Sequence, residues 1–121
     1  MADPTNRIRN NQAILQDWKT VAIHDPANET YTLAYTLPYP IRITQIRAQT
    51  DTGTCTVALK NGVDAIGTIS VTSSSIGTAA TIDTDHDYLG TTDVLTLEVS
   101  SVASSPTLLE VIYNFEWVVE S

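Results

Sequence analysis

The side chains best suited to chemistry in this sequence are the carboxylates of one acidic stretch. Asp83, Asp85 and Asp87 alternate there beside a histidine, and carboxylate oxygens are ligands that Ca²⁺ takes in proteins. An EF-hand loop needs Gly and Glu where this chain has Tyr88 and Val94. Because Asp is also a common turn former, we favour an acidic turn between strands. We predict no metal site, and calcium binding by these three carboxylates is the alternative left open.

A second set of candidates is the three glutamates Glu98, Glu110 and Glu116. Two of them could be nominated as the paired carboxylates of a glycosidase. All three fall on outward positions of predicted strands, and nothing indicates the pocket that shifts the pKa of a catalytic acid. The sequence has no nucleophile elbow and no Gly-rich phosphate loop, and its two histidines are too few for a zinc site. We therefore predict no catalytic residue, no cofactor and no enzymatic activity.

The single cysteine, Cys55, excludes an intramolecular disulfide. It alternates with Val57 and Leu59, which places it on an apolar face. A reactive thiol needs a neighbouring base or positive charge, and none is visible near it in the sequence. We predict that Cys55 is a small buried side chain.

Composition and charge restrict the partners. The chain has 121 residues, 42% of them hydrophobic and 17% charged, with nineteen Thr, nine Ser and a net charge of −8. Nucleic acid is an unfavourable partner, because there is no basic surface to neutralise phosphates. No apolar run approaches the length of a membrane span, and the first residues lack the apolar core of a signal peptide. We expect a protein made in a cytosol that binds neither nucleic acid nor membrane.

Alternation of apolar and polar residues predicts strands along most of the chain. The clearest case is the hairpin 52–71, where Asn61-Gly62 is typical of a type I′ turn because both central positions of that turn need positive φ. In the strand 41–50 the parity of the apolar residues changes, so we predict a β-bulge near Thr44-Gln45 that turns both arginines of the strand outward.

Two other segments have weaker patterns. Residues 13–23 predict a short turn or helix that opens into a strand, and 76–84 a weak strand. The segment 30–37 is a period-two strand. Its predicted core stripe consists of Tyr31, Leu33, Tyr35 and Leu37.

The last strand, 107–119, alternates over an unusual length. One face is fully apolar, and the other carries Leu108, Ile112 and Val118, which solvent exposure does not favour. We predict that part of this strand is buried on both sides, either by the N-terminal segment or by another subunit. These three residues are our candidates for an oligomer interface.

Seven or eight short strands without a convincing long helix predict an all-β protein. The expected fold is a jelly-roll-like antiparallel β-sandwich of seven to eight strands with an N-terminal arm. We assign residues 1–13 to the arm and 14–121 to a single β-sandwich domain. The arm is polar; it is either a disordered terminus or a segment that orders on a partner, with Arg7 and Arg9 available for carboxylates.

One run of motifs resembles a small β-sandwich module of tailed-bacteriophage virion proteins, and the resemblance covers roughly residues 41–119. The module is found in tail-fibre and head-fibre proteins and in proteins encoded near capsid genes. The matching motifs are Gly53-Thr54-Cys55-Thr56, Asn61-Gly62, the Thr/Ser-rich return 68–74, the strand 93–99, the Ser-rich loop 100–105 and the closing strand 108–115. Residues 1–40 are additional to the module.

The resemblance implies a structural or adhesive role on a phage particle. The size of the chain favours a capsid decoration (cement) protein, with a head-fibre or tail-fibre module that binds a receptor or carbohydrate as the alternative. Its partner would be the major capsid protein, its state a homotrimer, and its location the capsid surface after synthesis in the cytoplasm of the host bacterium. Arg7, Ile8, Arg9 and Trp18 are the candidate capsid contacts.

Overall fold

Eight β-strands make up the part of the chain that the structure, a computed structural model, describes: residues 16–73 and 81–118. In chain order they are β1 (Gln16–His24), β2 (Glu29–Ala34), β3 (Ile41–Thr50), β4 (Thr54–Asn61), β5 (Asp64–Val71), β6 (Tyr88–Leu89), β7 (Leu95–Ala103) and β8 (Leu108–Trp117). The predicted all-β class is confirmed. The predicted arm lies outside the described residues, so the division of the chain at residue 13 stays a prediction.

The strands form two antiparallel sheets, ordered β1-β8-β3-β6 and β2-β7-β4-β5. The pairing is nested, since β1 pairs with β8, β2 with β7, β3 with β6 and β4 with β5. Such nesting results when one long antiparallel ribbon is rolled over itself, and it gives the jelly-roll arrangement. The predicted jelly-roll-like sandwich is therefore confirmed. Strand β1 lies at one edge of the first sheet.

The core lies between the two sheets, because successive side chains of a strand point to opposite faces and each sheet contributes one apolar face. The largest fully buried side chains are Ile41, Ile43, Ile46, Leu59, Ile66, Leu89, Leu95, Leu97, Leu109, Val57, Val71 and Val99. Cys55 is 4% exposed and belongs to this core, as predicted. Burial raises the pKa of its thiol.

The β-bulge predicted in β3 is confirmed. The register of β3 against β8 shifts after Ile43 and leaves Thr44 without a partner residue. The extra residue restores the alternation, so that Ile43 and Ile46 are both buried. Arg42 and Arg47 lie opposite outward-facing residues of β8 and share its outward side, as predicted.

The hairpin between β4 and β5 is confirmed, but its predicted turn is wrong by one residue. Asn61 pairs with Asp64, so Gly62 and Val63 are the central residues. Gly62 has a φ of 63°, and Asn61 is not left-handed. A left-handed glycine at the first central position is typical of a type II′ turn. The Asn61 amide donates to the Tyr88 carbonyl at 3.1 Å, which holds Asn61 in the strand.

The core stripe predicted for 30–37 is wrong at Tyr35. Strand β2 ends at Ala34, its register against β7 shifts after Thr32, and Tyr35 is 73% exposed. The shift breaks the alternation that put Tyr35 on the core side. The other three residues of the stripe are partly buried and pack against the core.

Two further segments differ from their predictions. The described part of 13–23 is extended strand from Gln16 onward, with no helical turn. Pairing with β8 along all nine residues of β1 outweighs the local helical spacing. Of the strand predicted at 76–84, the described residues 81–84 are not strand, and the rest lies outside the described residues.

At the opposite end of the sandwich from the β4–β5 turn, Asp51 fastens the β3–β4 turn to the start of β8. Its Oδ1 accepts backbone N–H groups of Thr52 at 2.8 Å and of Thr107 and Leu108 at 3.0 Å each. The Thr107 hydroxyl donates to Oδ2. The bond from this hydroxyl, followed by those from the amides, favours the charged carboxylate and lowers the pKa of Asp51 to about 2.

Candidate functional site

Strands β1, β8 and β3 present their outward side chains on one surface, which we call the outer face. Residues directly opposite each other on neighbouring strands share a face. Two adjacent rows at its centre are Trp18, Asn114 and Gln45, and Thr20, Ile112 and Arg47. The first row brings the most exposed large side chain of β1 beside the bulge of β3.

A concavity of about 320 Å³ lies at this point, lined by Asp17, Trp18, Thr44, Asn114 and Phe115. Trp18 is 57% exposed, so one wall is an accessible indole ring. The bulge places Thr44 in the lining, a common effect of an extra residue that re-aims a side chain. A carboxylate, a hydroxyl and an amide beside an aromatic ring can hold a partner group by stacking and hydrogen bonding together.

The residues predicted for an oligomer interface divide between two places. Leu108 and Ile112 lie on the outer face, opposite His24 and Thr20 of β1. Both are half-buried within the single chain. Val118 is also half-buried but follows the end of β8, where its N–H donates to the Pro40 carbonyl at 2.8 Å. The structure therefore brings two of the three residues together on one surface.

Charges border the outer face at the β6 side. The Arg42 guanidinium lies 3.7 Å from both the Asp87 and the Glu116 carboxylates. Because Arg42 is 44% exposed, solvent screens these pairs, and their main effect is to fix the positions of the side chains. The apolar part of the outer face therefore lies away from these charges, on β1 and β8.

The acidic stretch 83–93 does not gather its carboxylates. Asp83 accepts the Asp85 N–H at 2.9 Å and contacts the His86 Nδ1 at 3.0 Å. The hydrogen bond from Asp85, followed by that from His86, lowers the pKa of Asp83, and the contact with Asp83 raises the pKa of His86. Asp87 turns to Arg42 instead. Within residues 16–73 and 81–118, no group of three or more His, Cys, Asp or Glu side chains is arranged to hold a metal ion.

The three glutamates lie on opposite sides of the sandwich. Glu98 is on β7 of the second sheet, with its carboxylate 2.8 Å from the Lys60 ammonium. Glu110 and Glu116 are on the outward side of β8 in the first sheet. Since the core separates Glu98 from the other two, it cannot form a catalytic pair with either of them.

A second aromatic group lies where β8 ends. The Tyr39 ring meets the Trp117 ring edge-on at 5.7 Å, and Trp117 meets Phe115 in the same way at 5.3 Å. Tyr39 is 64% exposed and Trp117 is half-buried. Tyr35 in the same β2–β3 connection is also exposed. The connection therefore presents two exposed tyrosine rings, and the Tyr39 ring packs against the Trp117 ring.

Of the predicted capsid contacts, Trp18 is exposed on the outer face, whereas Arg7, Ile8 and Arg9 lie outside the described residues. Sequence reasoning missed Thr44 and Asn114. The predicted bulge was a usable signal for Thr44, whereas the position of Asn114 beside Trp18 depends on the register of β1 against β8. No helix long and apolar enough to cross a membrane occurs in the described parts of the chain.

No family model and no curated protein sequence matches this chain. Its fold, in contrast, matches solved structures over most of its length. One is a chain of the acidic stable capsid structure of Helicobacter pylori bacteriophage KHP30, with 13% identity, 88% of this chain and 94% of that chain covered, and a TM-score of 0.58. A chain of the cyanophage Pam1 capsid asymmetric unit has 14% identity, with 85% and 84% covered and a TM-score of 0.52.

A looser likeness joins the chain to the CBM36-1 domain of a multidomain xylanase from the hindgut metagenome of Trinervitermes trinervoides. The identity is 20%, the coverage is 91% of this chain and 94% of that domain, and the TM-score is 0.40. That score is too low to carry an argument. The two phage structures show that the jelly-roll sandwich of this chain is a fold that also occurs in phage capsids.

Proposed function

We propose that this protein is a structural component of a tailed-phage virion, a decoration or cement protein that binds the surface of the head. The observation that supports this most is the likeness of fold, over most of both chains, to chains of two phage capsid structures. The virion motifs at residues 41–119 support the same class independently. The role is one of binding, with no catalysis.

The mechanism is stabilisation by mass action. A protein that binds the assembled shell, but not its separated subunits, raises the stability of the shell in proportion to the logarithm of its free concentration. The partner is the major capsid protein. The outer face offers the exposed indole of Trp18 for contact, and the arm adds Arg7, Ile8 and Arg9. Nucleic acid and membrane have no part in this mechanism.

A homotrimer is the proposed state on the capsid. Leu108 and Ile112 are large apolar side chains on the outward side of a central strand, and Val118 follows that strand. Side chains of this kind on an outward face are typical of a subunit contact. Sedimentation equilibrium of the isolated protein tests this state.

The proposal is tested on heads purified from particles that lack the protein. We expect the full-length chain to co-sediment with these heads, and a cryo-electron microscopy map of the decorated particle to show a sandwich on the shell. A chain without residues 1–12 and the variant Trp18→Ala should bind more weakly while keeping their β circular dichroism. Val63→Ala is the matched control, because Val63 is 86% exposed in the β4–β5 turn. Failure of the full-length chain to bind overturns the proposal.

A head-fibre or tail-fibre module that binds a receptor or carbohydrate is the second candidate. The exposed Tyr35 and Tyr39 favour it, since aromatic rings open to solvent can stack on sugars. Binding of the isolated protein to a glycan array, lost in Tyr39→Ala and unchanged in Trp18→Ala, supports this candidate over the first. No binding on the array, together with binding to heads, excludes it.

A further inference from the structure

Strand β1 is an edge strand, with β8 on one side and no strand on the other within residues 16–73 and 81–118. The Trp18 N–H is bonded at 2.7 Å to the carboxylate of its own neighbour, Asp17. That N–H therefore points away from β8 and toward the open edge. Because successive residues of an antiparallel strand alternate in the direction of their N–H and C=O groups, the N–H and C=O groups of Gln16 and Thr20 also face this edge.

The side chains beside Trp18 are oppositely charged. Asp17 and Lys19 are both exposed, and they flank Trp18 on the two sides. Suppose that a second copy of β1 pairs antiparallel about a two-fold axis at Trp18. Asp17 of each copy then lies opposite Lys19 of the other copy. A register centred on Thr20 instead sets the two charges against Ile23 and Val21. Opposite charges across a strand pair stabilise it and apolar neighbours do not compensate a charge, so the charge pattern selects Trp18 as the centre.

We propose that two copies of this chain associate through their β1 edges, in antiparallel register centred on Trp18. Each Trp18 N–H donates to the Trp18 carbonyl of the other copy, and Gln16 and Thr20 exchange hydrogen bonds in the same way. The Asp17 carboxylate then leaves the amide of its own chain and pairs with the Lys19 ammonium of the second copy. The two four-stranded sheets become one sheet of eight strands, and the exposed edge of β1 is removed from solvent.

This contact uses the backbone of Trp18, whereas the proposed head binding uses the ring of Trp18 and the arm. A two-fold pairing of edges turns a monomer into a dimer, and it turns a trimer into a hexamer where two trimers meet through all three of their edges. It needs no capsid protein. Loss of head binding therefore leaves the pairing intact, and loss of the pairing in solution leaves head binding to be judged by its own experiment.

Charge reversal tests the register. Sedimentation equilibrium of the full-length wild type should show a mass that rises toward twice the smallest species as concentration increases. Asp17→Lys and Lys19→Asp each place two like charges face to face in every pair, which should weaken self-association about tenfold or more. An equimolar mixture of these two variants restores opposite charges at every contact, so it should associate as the wild type does. The doubly substituted chain, Asp17→Lys with Lys19→Asp, should also associate as the wild type does.

The controls separate pairing from net charge and from folding. Asp64→Lys makes the same change in net charge as Asp17→Lys at an exposed residue far from β1, and should leave the mass unchanged. Trp18→Pro removes the edge N–H without removing a bond to β8, and should abolish the doubling while the β circular dichroism persists. A wild-type mass that does not change with concentration, single reversals without effect, or a mixture that fails to associate overturns the proposal.

Discussion

Two glycines with similar positive φ angles allow the cost of strain to be separated from the cost of a collision. Gly53, in the turn between β3 and β4, has a φ of +69°, and Gly62, in the β4–β5 turn, has a φ of +63°. A Cβ at Gly53 would lie 2.5 Å from the Ala103 carbonyl oxygen and 2.8 Å from that of Ser104. A Cβ at Gly62 would meet nothing within 4 Å. Alanine is therefore strained at both positions, but collides with backbone only at Gly53.

General energetic scales give the size of each effect on the free energy of unfolding. A left-handed φ costs a non-glycine residue about 1–2 kcal/mol, and the stiffer unfolded chain returns about 0.4–1 kcal/mol at either site. Gly62→Ala should therefore lose about 1 kcal/mol. Displacing two backbone carbonyls from a rigid turn adds roughly 1–3 kcal/mol, so Gly53→Ala should lose about 3 kcal/mol. At about 4 °C per kcal/mol for a domain of this size, the Tm values should fall by about 4 °C and 12 °C.

Thermal unfolding followed by far-ultraviolet circular dichroism measures both variants against the wild type. Urea unfolding at a fixed temperature gives the free energies themselves, provided that the slope m stays constant. Equal losses in the two variants would refute the reasoning, since they would show that the β7–β8 connection does not press on Gly53. A larger loss at Gly62 would contradict the close approach of the Ala103 and Ser104 carbonyl oxygens to Gly53.

Three further outcomes follow from the core and from the Asp51 contacts. Because its folded pKa is lowered, Asp51 should stabilise the fold above its ordinary pKa of 3.8 and lose this contribution as the pH falls toward 2; in Asp51→Asn, urea midpoints should lack this part of the pH dependence. Leu97→Ala should cost about 2–5 kcal/mol in urea unfolding, because Leu97 is fully buried between the sheets. Cys55 should react with a thiol reagent at pH 8 only as fast as the protein unfolds, since its thiol is buried and its pKa raised; rapid labelling of the native protein would contradict its place in the core.

The parts of the fold that sequence could predict are those set by local alternation. The parity change between Ile43 and Ile46 was enough to place the bulge of β3, because a strand has no other way to bury both side chains. The burial of Cys55 followed in the same way from its alternation with Val57 and Leu59. In each case the information lay within a few neighbouring residues.

The errors arose where a distant segment decides the local geometry. The β4–β5 turn is displaced by one residue, and the amide of Asn61 reaches the carbonyl of Tyr88, which is 27 residues away. Tyr35 is exposed because the pairing of β2 with β7 shifts before it. The alternation of apolar and polar residues near Asn61 and Tyr35 predicts neither the bond to the distant carbonyl nor the shift in register.

The outer face shows the same limit. Trp18 could be nominated from its residue type, but Asn114 and Thr44 join it only through the registers of β1 and β3 against β8. Those registers place Trp18 and Gln45, the neighbour of Thr44, opposite Asn114, which lies 96 and 69 positions away from them along the chain. Spacing along the sequence therefore cannot reveal the concavity. The order of the strands and their registers bring its lining residues together.

The two proposals for Trp18 are compatible because of how side chains are arranged in a sheet. Pairing at the β1 edge uses the backbone of Trp18, while its ring stays on the outer face beside the ring of the second copy. The pair therefore extends the outer face across two chains instead of covering it. Head binding should then be stronger for the paired protein, because two linked surfaces bind with a high effective concentration. Lys19→Asp, which leaves the Trp18 ring and the residues that line the concavity in place, should weaken head binding only as far as it dissociates the pair, whereas Trp18→Ala should weaken it at every protein concentration.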